Sequence, residues 1–417
     1  MRLTGLFGGI GRALSSRNYR TYWSGNALSL VGTWAHRVAA GWLTWELTHS
    51  ATWLGIIAFA ELFPTMIIAP IAGAIADKTD IKRLMLVCQI FAGVQAALLA
   101  GLVFTDSITI EILFGLTLFL GAVLGFQAPV RMALVPSLVE KEELSAAIAL
   151  SAATFNGAGF VGPAVAGVVI VLWGVAPAFA LNSLSYAVFI FALTRVQLTL
   201  KSHSKGDRKA GILHDLAEGI RYTSGHFSIR SVLILLFTMS FLLRPFNELL
   251  PGFAAEVFDR GAEGLAMMTS ATGLGAMSGG LWLARRGLTE GLSQILVKVM
   301  LLGIVGLLGF ASSKIFWVAL VSLVAVGFSV ASIGISTQVM VQNSVDSAMR
   351  ARVMSLYGVL NRGGPALGAL IMGWAASDLG MASPVIAGAL LALLVWLSVF
   401  RLVLGSKNEL ENKIPDR

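Results

Sequence analysis

Long apolar stretches recur along the whole chain, separated by short polar breaks. Each is close to the ~20 residues that an α-helix needs to cross the hydrocarbon core of a bilayer. The pattern predicts helices over 21–45, 52–76, 83–105, 109–135, 145–172 and 176–195. It predicts six more over 229–257, 262–284, 291–311, 315–341, 351–376 and 381–404. Between the two sets lies one long hydrophilic connection, 196–228. Within it Ile212, Leu213, Leu216 and Ile220 recur at helical spacing, which predicts an amphipathic helix at the membrane surface. The expected fold is an all-α membrane protein with twelve transmembrane helices in two six-helix bundles. Residues 1–195 form the N-terminal bundle, 196–228 a cytoplasmic linker, and 229–417 the C-terminal bundle with a short cytoplasmic tail.

Composition supports this reading and removes others. Of 417 residues, 56% are apolar and only 12% are charged, where a soluble domain carries roughly 25%. Mean hydropathy is +0.81. A soluble chain could not cover so much apolar surface, and disorder or a disulfide scaffold is excluded by the same figures. The single cysteine, Cys88, sits in an apolar run as core filler. The net charge of +8 would suit nucleic acid if it were spread evenly. It is not. Of the 30 basic residues, 23 fall in segments on one side of the predicted layout, and only Arg260 and Lys314 fall on the other. This is the positive-inside bias, so the charge reports orientation. Both termini are expected in the cytoplasm, in a multi-pass protein of the cytoplasmic (inner) membrane. Trp42 and Trp45 mark the outer interface and Trp23 the inner one.

The two halves read as distant repeats. Residues 49–54 line up with 260–265, an offset of 211, and Gly162, Pro163 and Gly167 have counterparts in Gly364, Pro365 and Gly368. A parallel repeat predicts two bundles about an axis along the membrane normal, with a cavity between them. Between the second and third helices stands Gly73, Asp77, Lys78, Asp80, Ile81, Lys82 and Arg83. Gly73 would let helices approach closely, and the basic residues would anchor the loop to the cytoplasmic face. Here the chain resembles the major facilitator superfamily, whose signature is G-x-x-x-D-(R/K)-x-G-(R/K)-(R/K). It departs from that signature at Asp80 and Ile81. The resemblance implies that Asp77 stabilises one closed state at the cytoplasmic side, and that the protein works as a monomer.

The fifth helix carries Gly157, Gly159, Gly162, Pro163 and Gly167. This contains a literal G-x-G-x-x-G, but no strand precedes it and Pro163 follows at once, so a dinucleotide site is rejected. It is similar instead to the glycine-proline motif of the superfamily's exporters, a bendable and closely packed helix. The stretches 128–136, 350–356, 362–365 and 261–265 resemble the exporter branch that includes enterobactin-exporter-like and macrolide-efflux-like proteins.

Charge within the apolar runs is the best pointer to a site. An ionisable side chain at membrane depth is costly, so it faces a partner or a cavity. At ~1.5 Å of rise per residue, Glu61 lies ~14 Å below the outer start of its helix and Arg362 ~18 Å above the inner start of its own. Their depths match, and the resemblance places their helices face to face. The expectation is a breakable Glu61–Arg362 pair, with Glu61 taking up a proton. The 211-residue offset maps Arg37 onto Glu248 and predicts a second pair across the cavity. Arg244, one turn before Glu248, offers a local alternative. His36, Gln127, Asn156, Asn247, Gln338 and Asn361 are candidates for the substrate path, while Arg131 and Lys298 would snorkel to the cytoplasmic surface.

His203, His214 and His226 share no ligand spacing, so no metal site is expected. No phosphate loop, cofactor motif or catalytic constellation appears, so the chain reads as no enzyme. The expected function is secondary active export of a small amphipathic organic compound, drug-like or a siderophore, by alternating access with proton antiport. The partners are then the substrate, protons and lipid, with no nucleic acid. Two alternatives stay open: uptake of an organic anion, for which Arg37, Arg244 and Arg362 supply positive charge, and a non-transporting sensor on the same fold.

Overall fold

The computed structural model describes residues 14–76, 79–140, 142–197 and 212–411, apart from the side chains at 70, 74, 212–215 and 348. Twelve long helices dominate, and no strand occurs among the described residues. Before the linker they are α1 (Arg17–Thr48), α2 (Ala51–Ala76), α3 (Ile81–Phe104), α4 (Ile110–Leu134), α5 (Leu144–Trp173) and α6 (Val175–Arg195). The linker contributes α7 (Ile212–Gly225). After it come α8 (Phe227–Val257), α9 (Gly261–Arg286), α10 (Leu292–Ser312), α11 (Phe316–Ser344), α12 (Ser347–Leu379) and α13 (Ala382–Gly405), then a short α14 (Lys407–Glu411).

Local chemistry sets the ends. The Ser16 side chain accepts from the Tyr19 N–H and opens α1, and Thr109 does the same for α4. His49 in the left-handed conformation closes α1 (φ 46°). Among the described residues, nine of the long helices are apolar enough to cross a membrane; the other three, α1, α9 and α12, are richer in charge or glycine. Large apolar side chains such as Phe191, Val305 and Leu394 point outward, the reverse of a soluble protein.

The α8 segment is interrupted by π-helical turns at Met239–Leu243 and Phe253–Val257. Pro245 and Pro251 have no N–H to give, so the ladder slips beside each of them. The Arg244 N–H reaches back five residues to the Met239 carbonyl at 2.9 Å, and the Phe258 N–H to Phe253 at 3.0 Å. The slip turns the intervening helix so that Arg244, Asn247, Glu248 and Pro251 share one inward stripe.

Before the linker, α1 packs on α5 and α6, α2 on α4, and α3 on α4 and α6; after it, α11 packs on α9 and α10, and α13 on α10. The halves meet mainly through two crossings, α2 with α12 and α5 with α9. Small residues let the backbones touch. A Cβ at Gly55 would stand 2.5 Å from the Ala369 carbonyl, and one at Gly373 2.5 Å from that of Ala51.

The linker end of the molecule is fastened by side chains. Glu218 of α7 pairs with Arg352 of α12 at 2.8 Å, and the Tyr222 hydroxyl donates to Asp346 at 3.0 Å. Burial holds the Tyr222 phenol above its ordinary value, which keeps it a donor. At the chain's other extreme, the Glu411 carboxylate of α14 accepts from the Gly291 and Ser293 N–H groups and caps α10.

Candidate functional site

A cavity of about 240 Å³ lies between the halves. Each wall is one stripe of a helix. From α1 come Trp34, Arg37, Val38 and Gly41, spaced i, i+3, i+4 and i+7. From α8 come Arg244, Asn247, Glu248 and Pro251 at the same spacing. Phe155, Asn156 and Gly159 of α5 face Thr269, Thr272 and Gly273 of α9, and Pro365 stands for α12. The wall is therefore mixed: aromatic near Trp34 and Phe155, which meet edge-on at 5.8 Å, and charged on α1 and α8.

Arg37 is the hub. Its Nη2 donates to Glu248 Oε1 at 2.9 Å, across the two halves, and its Nε lies 3.6 Å from Glu61 Oε2. Trp34 lies under the guanidinium at 5.9 Å. The structure thus brings Arg37 and Glu248 together, the residues related by the 211-residue offset. Arg244 does not take Glu248; its Nη1 donates to the Asn361 carbonyl at 3.1 Å.

One expected pair is corrected. Glu61 is held by Arg37, not by Arg362, and Arg362 has no ion pair among the described residues. Counting depth along a helix leaves the direction around it open. Arg37 on α1, neighbour to α2, is already within reach of Glu61.

The polar candidates separate. Asn156 and Asn247 line the cavity, and Asn361 offers its carbonyl to Arg244. His36 is buried against Phe179, ring to ring at 4.8 Å, inside the α1–α6 contact. Gln127 is buried in packing and Gln338 is exposed. Trp34, Phe155, Thr269 and Thr272 were not anticipated, although the α1 stripe through Arg37 already implied Trp34 one turn earlier.

The two glycine motifs also divide. Gly73 is corrected: a Cβ there would meet nothing within 4 Å, so no close approach depends on it here. Asp77 and Lys78 lie outside the described residues. Asp80 accepts from the Arg83 N–H at 3.1 Å and caps α3, so the missing signature glycine is replaced by a helix cap. Lys82 donates to the Val196 carbonyl at 2.6 Å past the end of α6, while Arg83 pairs with Asp80 at 3.4 Å. In α5, Gly162 lets the helix close on α1, where a Cβ would press on Val31 and Trp34, and Pro163 sits inside an unbroken helix. Gly159 presents its carbonyl to Gly273 of the other half.

At the end of the molecule away from the linker, side chains of the two halves close on each other. The Thr52 and Ser377 hydroxyls meet at 2.8 Å, and the Thr52 N–H donates to Ser377 Oγ at 3.0 Å. Along α5 and α9 the Ser270 hydroxyl donates to the Phe160 carbonyl at 3.2 Å.

Two linked sets of helices, most of them apolar enough to cross a membrane, around a central charged cavity have the architecture of a membrane transporter. Residues 12–416 match the family described as transmembrane secretion effector, and the chain belongs to that family, within the major facilitator superfamily. It is similar to the staphyloferrin A transporter of Staphylococcus aureus, 26% identical over 86% of this chain and 90% of that protein. It is also similar to macrolide efflux protein A of Streptococcus pyogenes, 21% identical over 82% of this chain and 84% of that one. Among solved structures, it superposes on a bacterial homologue of the human lysosomal transporter Spinster, in an inward-facing, unoccupied conformation. The TM-score is 0.68 at 14% identity, over 96% of this chain and all of that one. The chain is a secondary transporter that exports a small organic compound, and not an enzyme.

Proposed function

We propose that the protein crosses the cytoplasmic membrane twelve times with both ends inside, and exports an amphipathic organic compound by alternating access in exchange for protons. The reading takes each six-helix set as one rocking bundle and the protein as a monomer. The observation that carries it is Arg37 held between Glu61 and Glu248, carboxylates of opposite halves, on the wall of the cavity.

A guanidinium shared by two carboxylates is a three-charge unit with net charge −1. Protonation of Glu61 removes one attraction and leaves Arg37 to Glu248 alone. That changes the strength of the tie between the halves, and so the balance between two rocked states. With the basic linker end in the cytoplasm, the seal at Thr52 and Ser377 lies on the outer side. The described state then loads a compound from inside. The relatives named for macrolide efflux and for staphyloferrin A transport support a substrate of this general kind.

The test uses the purified protein in liposomes, with a macrolide, tetraphenylphosphonium and 2,3-dihydroxybenzoate as probes. An imposed pH gradient should drive uphill movement of at least one probe. Glu61→Gln should abolish that coupling while leaving downhill exchange. Uphill transport that persists in Glu61→Gln would refute the proton role, and counterflow in inverted vesicles fixes the direction.

A further inference from the structure

Arg37 and Arg244 line the cavity, and Arg362 stands on the α12 face that carries the lining residue Pro365. Arg37 has two carboxylate partners. Arg244 and Arg362 have none within ion-pair distance among the described residues. They are neighbours, because Arg244 donates to the carbonyl of Asn361, the residue before Arg362. Pro365 lines the cavity, and Arg362 and Gly358 lie three and seven residues before it on the same face of α12. A long side chain on a helix leans toward the helix N-terminus, so Arg362 reaches along that face toward Gly358. Tyr357 adjoins the pair and spends its hydroxyl proton on the Gly334 carbonyl at 3.1 Å. At Gly358 a Cβ would meet nothing within 4 Å, so α12 has open space about one turn before Arg362.

Cationic groups at membrane depth are retained where something balances them. Of these three arginines, only Arg37 has a carboxylate within ion-pair distance among the described residues. We infer that Arg244 and Arg362 form an anion subsite that takes the acidic group, a carboxylate or catecholate, of the exported compound, making the substrate an amphipathic organic anion. The fork geometry of guanidinium matches such oxygens. The apolar body of the same molecule would lie toward Trp34 and Phe155 at the other wall. This rests on the reading that the cavity carries the exported compound, but it does not depend on proton coupling.

The test is equilibrium binding without any gradient. Full-length protein in lipid nanodiscs is heated with citrate, 2,3-dihydroxybenzoate or tetraphenylphosphonium, against chloride at equal ionic strength. At least one of the two organic anions should raise the unfolding temperature of the wild type. Arg362→Gln should weaken that response at least tenfold, and Arg362→Lys, which keeps the charge but loses the fork, should retain only part of it. Gly358→Glu gives a variant in which folding is not at risk. It places a carboxylate in open space four residues before Arg362, where it pairs internally and competes with the ligand. This variant should keep or gain stability and lose the anion response. Absence of any organic-anion response in the wild type overturns the subsite. So does a response unchanged in either Arg362→Gln or Gly358→Glu, or stabilisation by tetraphenylphosphonium alone. The binding readout needs no gradient, so a failure of coupling and a failure of the subsite read out separately.

Discussion

Arg37 and Arg362 differ in what their removal leaves behind. Arg37→Gln strands two carboxylates, Glu61 and Glu248, in a site where their side chains are only 20% exposed. Breaking one member of a buried pair costs about 3–5 kcal/mol, and the partial exposure here puts the expectation at the lower end. Arg362→Gln removes a cation that has no counter-charge, so it should be neutral or stabilising in the absence of ligand. Thermal unfolding of the two variants in detergent checks the contrast; equal losses would contradict the assignment of partners. The sequence carried half of this geometry. The 211-residue repeat relates Arg37 to Glu248 because symmetry fixes both depth and direction. Depth alone did not serve for Glu61 and Arg362, since two groups at one height can still point to different neighbours.

At the scale of helices, the apolar periodicity placed the twelve long helices to within a few residues, because water and lipid enforce the same boundary at every end. What it could not carry was the internal geometry of α8. A π-turn adds one residue to a turn and leaves average hydropathy untouched, so only Pro245 and Pro251 hinted at it. Likewise α1, α9 and α12 fall below a simple apolarity threshold, partly because charges of the cavity and the linker end sit on them. The crossing of α2 and α12 gives a prediction at this scale. Gly55 of α2 lies against the Ala369 carbonyl of α12. Gly55→Val cannot fit without separating the two helices, so the seal at Thr52 and Ser377 should open. A cysteine at Thr52 should then react faster with a membrane-impermeant maleimide in the Gly55→Val background than alone. Equal rates would mean that the crossing does not govern the seal.

For the whole molecule, alternating access demands that contacts at one end break while contacts at the other form. The described state has its closure at the end away from the linker, where Thr52 and Ser377 share a hydrogen bond of 2.8 Å between halves. Side chains that meet there can be joined covalently: a disulfide needs Cβ atoms roughly 3.5–4.5 Å apart. The double substitution Thr52→Cys and Ser377→Cys should therefore oxidise readily. Cys88 lies buried in α3 and is replaced by alanine to leave the new pair alone. Oxidation should trap the closed outer end, abolish probe flux in liposomes, and leave equilibrium binding to the cavity intact, because the linker side stays free. Reduction should restore flux. The reduced double variant is its own control for lost hydrogen bonds. Full flux in the oxidised, cross-linked protein would mean that these two helices never part during transport, and the rocking of one bundle against the other would have to be given up.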